Sequence, residues 1–66
     1  MIRVIVNGEA QTCPAQTLAE LLKALDYEGD FLATAVNGDL VHREERADCL
    51  LKEGDKVEIL APMQGG

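Results

Sequence analysis

The sequence predicts a two-layer α+β fold, a mixed sheet of four to five short strands packed on one main helix, and three observations carry that expectation. Two Val-Asn-Gly tripeptides, Val6-Asn7-Gly8 and Val36-Asn37-Gly38, each close a strand-like run with the dipeptide that a type I′ hairpin turn requires. Between them Leu18, Leu21, Leu22 and Leu25 recur at i, i+3, i+4 and i+7, the spacing of one helix face. Sixty-six residues, 47% hydrophobic and 27% charged, suffice to collapse around one core and leave no room for a second.

Each element has a local reason. Ile2 to Val6 is β-branched apart from Arg3 and reads as a strand; Asn7-Gly8 turns it into a return strand from Glu9 to Cys13. Pro14 halts that strand because it has no amide to donate to a sheet. Thr17-Leu18-Ala19-Glu20 matches a capping box, so a helix starts there, and Gly29 is its expected stop. Phe31 to Val36 has strand content, and Asn37-Gly38 reverses it into Leu40-Val41. His42 to Asp48 is rich in charge and poor in apolar anchors, which predicts an irregular, solvated surface segment with about one helical turn. Leu50 and Leu51 are expected to re-enter the core. Glu53-Gly54-Asp55 is a turn cluster, and Val57 to Leu60 forms the last strand with Val57 and Ile59 on one side.

The order is thus β, β, α, β, β, β. One helix covers one face of a sheet, and a last strand lying parallel to the first closes the smallest core, the β-grasp or ubiquitin-like arrangement. The domain is expected over residues 1–60, with a flexible tail over 61–66. The repeated Val-Asn-Gly is read as shared turn chemistry, not duplication.

Charge narrows the partners. Twelve acidic against six basic side chains give a formal net charge of −6, which repels nucleic-acid phosphates and anionic lipid and favours a protein with a basic face. The apolar run from Met1 to Val6 is too short for a signal peptide or membrane span, so the expected compartment is the cytoplasm. There the two cysteines, Cys13 and Cys49, stay reduced and read as small apolar filler. They lack the C-x-x-C spacing, and with the lone His42 they make no metal-ligand cluster. No Ser/His/Asp set or glycine-rich phosphate loop is present, and Glu44-Glu45 is an accidental pair among twelve carboxylates. No catalytic residue is expected.

The C-terminus is the unusual feature, because Ala61-Pro62-Met63-Gln64-Gly65-Gly66 follows the last strand and ends in two glycines. Extended, it spans roughly 20 Å. Terminal glycines also suit a frayed end. Their functional reading is that a backbone without side chains threads a narrow cleft and delivers only its carboxylate. A carboxylate is ionised at neutral pH and is a poor electrophile, so chemistry on it needs activation. Attack on the α-phosphate of ATP gives an acyl-adenylate, which a sulfur nucleophile displaces. A partner must supply that site.

Val4-Ile5-Val6-Asn7-Gly8, Thr17-Leu18-Ala19-Glu20-Leu21-Leu22, Ala35-Val36-Asn37-Gly38, Val41-His42-Arg43, Gly54-Asp55-Lys56-Val57-Glu58-Ile59 and the closing Gly65-Gly66 together resemble the sulfur carrier proteins of thiamine biosynthesis, the ThiS family. The resemblance covers the whole chain. It departs at His42, where such carriers often place proline. It implies that an E1-like (ThiF-like) adenylyltransferase activates Gly66, with Gly65 giving access, and that sulfur from a donor enzyme is installed as a thiocarboxylate. Thiazole synthase (ThiG-like) then takes the sulfur. The chain is a protein co-substrate on that reading, binding no cofactor or metal itself, with ATP consumed by the activating partner.

If Val4, Val6, Val57 and Ile59 face the helix, strand alternation sends Ile5 and Leu60 to the other face, where with Met63 they form a candidate partner-binding patch beside Arg3. Acidic groups around it would steer a basic partner. The small subunit of molybdopterin synthase resembles the chain in fold, ending and chemistry, although 66 residues is short for it. A ubiquitin-like modifier joined to lysine amines, and a non-covalent interaction domain with an inert tail, are the other readings. A plant-type ferredoxin on a related fold is disfavoured, because its cluster needs four cysteines.

Overall fold

The computed structural model describes residues 1–14, 16–27 and 32–61. Its strands are β1 (Ile2–Val6), β2 (Glu9–Cys13), β3 (Ala33–Val36), β4 (Asp39–Val41) and β5 (Lys56–Leu60), with one α-helix, α1 (Leu18–Ala24), and a 3₁₀ helix over Arg43–Asp48. The sheet order is β2-β1-β5-β3-β4. Two antiparallel hairpins flank β5, which runs parallel to β1 and antiparallel to β3. This is the β-grasp arrangement: the strand made last stands in the middle.

Both hairpins turn as their sequence requires. Asn7 and Gly8 have φ of 50° and 86°, Asn37 and Gly38 have 53° and 87°, and two successive positive φ values define the type I′ turn. The turns set the registers Val6 opposite Glu9 and Val36 opposite Asp39.

The capping box is formed in full. Thr17 Oγ1 accepts from the Glu20 amide at 3.2 Å, and Glu20 Oε1 accepts from the amides of Thr17 at 3.2 Å and Gln16 at 2.8 Å. Leu18, Leu21 and Leu22 are buried and Leu25 packs at the edge of the core. The helix stops earlier than the sequence suggested. Leu25 is its C-cap and Asp26 takes a φ of 67°. The Asp26 amide donates to Lys23 O and the Tyr27 amide to Leu22 O, the pair of bonds of a Schellman motif. An aspartate that tolerates the left-handed region has the place usually given to glycine; Gly29 and Phe31, expected at the helix stop and strand start, lie outside the described residues.

Val4, Val6, Val57 and Ile59 line the inner face of the sheet and meet Leu18, Leu21 and Leu22, with Cys13, Val41 and Leu51 completing the core. Leu50 departs from expectation. Leu51 is buried while Leu50 is 71% exposed. Cys49 to Leu51 runs extended against the start of α1, with the Leu18 amide donating to Cys49 O and the Leu51 amide to Gln16 O, so alternate side chains point apart and only one of the two leucines turns inward.

The segment after β4 also departs from expectation. It is a six-residue 3₁₀ helix, not an irregular stretch, and it is not wholly solvated because Arg46 is buried. Arg46 Nε donates to Thr34 Oγ1 at 3.0 Å and its Nη2 to Leu32 O at 2.6 Å. Thr34 in turn donates to Val41 O at 2.7 Å. The arginine supplies the partners that a polar residue on the inner face of β3 needs.

Candidate functional site

The residues that matter for the tail are those that bring β5 to its end. β5 buries Val57 and Ile59 and exposes Lys56, Glu58 and Leu60, a strict alternation. Its start is fixed by the turn before it, where the Asp55 carboxylate accepts from the Lys52 amide at 2.7 Å and Gly54 N donates to Arg3 O at 2.7 Å. Its end lies between a hairpin turn and β3, with Leu60 opposite Ala33. Ala61 is half-buried and is the last described residue. Met63, Gly65 and Gly66 lie outside the described residues.

The outer face carries the other two candidate residues. Ile5 is half-buried and Leu60 is 71% exposed. The registers place them on one face but apart: Ile5 is opposite Lys56, four residues before Leu60, so at about 3.3 Å per residue roughly 13 Å of strand separates them. A residue the sequence reading passed over sits in the same surface. Leu40 is 63% exposed and lies opposite Ala35, while Ala33 lies opposite Leu60. Two large aliphatic side chains thus bracket two alanines in a shallow apolar strip across β5, β3 and β4. The signal was in the turn, because a two-residue loop at Asn37-Gly38 pairs Leu40 with Ala35 and points it away from Val41.

An open groove of about 620 Å³ adjoins this strip, lined among others by Leu32, Thr34, Leu40, His42 and Arg46. The Arg46 guanidinium inside it is engaged with Thr34 and Leu32. Among the described residues no group of three or more His, Cys, Asp or Glu side chains comes together as a metal-binding set, and no helix is long and apolar enough to cross a membrane.

The cysteines are poorly placed for sulfur chemistry. Cys13 is buried in the core. Burial pushes the Cys49 thiol up from its usual range, and the carboxylates of Asp55 and Glu45 push it in the same direction. Only the thiolate is a strong nucleophile, so Cys49 is held in its inert form at neutral pH.

Fold and site together define a class: a small β-grasp domain without a catalytic constellation among its described residues, whose central strand leads into a sequence ending Gly-Gly. The sequence model of the ThiS family matches residues 4–66. The sulfur carrier protein ThiS of Escherichia coli is 33% identical over 66 residues, covering 98% of this chain and all of the relative. That of Thermus thermophilus is 36% identical over 63 residues, covering 96% and 98%. The crystal structure of the thiamine biosynthesis protein ThiS from Geobacter metallireducens superposes with a TM-score of 0.82 at 32% identity, over 98% of this chain and the whole of the other. A solution structure from the same organism gives 0.81, also at 32% identity, over 98% of this chain and 88% of that one. The chain belongs to the ThiS family.

Proposed function

We propose that the chain is a sulfur carrier of thiamine biosynthesis and that it carries sulfur on the carboxyl group of Gly66. The observation that carries this reading is the pairing of a family match that runs to residue 66 with a β5 that ends in mid-sheet at Leu60, six residues before that glycine. The state of the two thiols supports it: a carrier that held sulfur on cysteine would need an accessible, acidified thiol, and Cys13 is buried while Cys49 is pushed the opposite way.

The chemistry follows from the weakness of a carboxylate as an electrophile. An E1-like adenylyltransferase binds ATP; a carboxylate oxygen of Gly66 attacks the α-phosphorus and pyrophosphate leaves. The resulting mixed anhydride makes AMP the leaving group; hydrosulfide, sulfide-level sulfur supplied by a donor enzyme, attacks the carbonyl carbon and expels AMP, and its proton passes to solvent. The thiocarboxylate so formed gives up its sulfur in the thiazole synthase reaction, where the C–S bond breaks and water restores the Gly66 carboxylate. The chain contributes no catalytic group; it is a co-substrate whose Gly65 lets the backbone enter the partner's cleft. Leu60 and Leu40, with Met63 following on the tail, form the apolar surface on which the partner docks, and Ile5 adds a second, separate apolar contact on the same face.

Intact-mass measurement tests the reading. Incubation with ATP, a ThiF-like enzyme and a sulfur source raises the mass by the exchange of one oxygen for sulfur, and a chain lacking Gly65-Gly66 gains nothing. A wild-type chain that stays unmodified, or one recovered as an amide on lysines of other proteins, overturns it.

A further inference from the structure

The two Val-Asn-Gly turns do more than reverse the chain, because both asparagine side chains are spent on β5. Asn37 grips its beginning. Its backbone amide donates to Lys56 O at 2.7 Å, its Oδ1 accepts from the Lys56 amide at 3.0 Å, and its Nδ2 donates to Asp55 Oδ1 at 3.0 Å. Asn7 grips its end. Its backbone amide donates to Val57 O at 2.9 Å, its Oδ1 accepts from the Ile59 amide at 2.8 Å, and its Nδ2 donates to Ile59 O at 3.1 Å.

The second grip sits where the sheet lacks a strand. β1 pairs with β5 only at Ile5–Lys56 and Val6–Val57, since the chain turns away at Asn7, whereas β3 follows β5 as far as Leu60. On the β1 side of Ile59 the partner is therefore the Asn7 carboxamide, which offers one donor and one acceptor as a peptide group would. Among the described residues it is the last hydrogen-bonding partner of β5 on that side before Ala61.

We infer that Asn7 is a positioning residue for the carrier's chemistry: by holding Ile59 on the side where β1 has ended, it sets the direction in which the chain beyond Leu60 leaves the sheet, and so where a docked enzyme meets the terminal carboxylate. The inference rests on the reading of Gly66 given above. The carboxamide touches no reacting atom and acts through β5. Asn37 is the built-in control, with the same turn and the same strand but the opposite end.

Asn7→Gly and Asn37→Gly test it, because glycine accepts the positive φ of 50° and 53° and removes the carboxamide without straining the turn. For each variant kcat and KM of ATP-dependent adenylation are measured by pyrophosphate exchange, together with the unfolding midpoint and amide hydrogen exchange at Ile59. Both variants are expected to lose stability to a similar degree. Asn7→Gly lowers kcat about tenfold or more, as misplacement of a reacting group does, leaves KM in place and speeds exchange at Ile59, whose amide loses its acceptor; Asn37→Gly keeps kcat. Asn7→Asp retains the acceptor for the Ile59 amide and recovers part of kcat, and it replaces Asn7→Gly should that variant not fold. A wild-type kcat in Asn7→Gly (or, in its place, Asn7→Asp), or equal losses of kcat in the two glycine variants, overturns the inference alone. A wild-type chain that is never adenylated overturns the functional reading with it.

Discussion

The two faces of the sheet are built from the same five strands and have opposite fates. On the inner face Val4 and Val57 are 0% and 1% exposed under α1. On the outer face Leu40 and Leu60 stand open to solvent beside Arg3, Lys56 and Glu58. A domain of this size has one helix to spend, so it closes one side only, and apolar residues on the other side contribute little to folding. The difference separates residues that make the fold from residues the fold leaves open to solvent.

The largest effect is expected on the inner side. Leu21→Ala removes a fully buried side chain and is expected to cost about 2–5 kcal/mol, comparable to the whole stability of a domain below about 70 residues. Denaturant titration should show a chain largely unfolded in buffer; a stability within about 1 kcal/mol of wild type, by the same scale, would mean that the helix is not what closes the core.

Changes on the outer side should do the reverse. Leu40→Glu and Leu60→Glu are expected to leave stability within about 0.5 kcal/mol while weakening the complex with an activating enzyme about tenfold or more each. Calorimetric titration against that enzyme reads the loss. Unaltered affinity in both variants would break the contrast between the faces.

The smallest effect belongs to Cys49, at the margin of the core. Its thiol is raised by burial first and by Asp55 and Glu45 after that, so the folded chain holds its proton to higher pH than the unfolded chain does. The stability linked to that proton is complete below the ordinary thiol value of about 8.5 and is lost as pH rises from there through the folded value. Melting temperatures between about pH 7 and 10 should fall in the wild type and fall less in Cys49→Ala.

Much of this arrangement was legible in the residues. The Asn-Gly pairs, the Thr17–Glu20 box and the leucine stripe are local signals, and each specifies its own turn, cap or face without help from the rest of the chain. What escaped depended on tertiary contact. Arg46 reads as one more surface charge until β3 presents a buried Thr34 hydroxyl to it. Leu50 and Leu51 look alike in sequence, and only the extended pairing of Cys49 and Leu51 with the helix start decides which one is buried. Asp26 takes the left-handed position that ends the helix, which the sequence pattern suggests for Gly29. At the site, alternation along β1 and β5 predicted the face of Ile5 and Leu60. Leu40 required the register of the second hairpin as well.

The position of β5 has a bearing on biosynthesis. Within the sheet the β1–β2 and β3–β4 hairpins are joined through β5, which follows all four in sequence. As the polypeptide emerges from the ribosome, both hairpins wait unbridged, each too small to persist alone in water. Cooperative folding is thus deferred until β5 is available, and a product truncated before it holds two hairpins that no strand joins into one sheet.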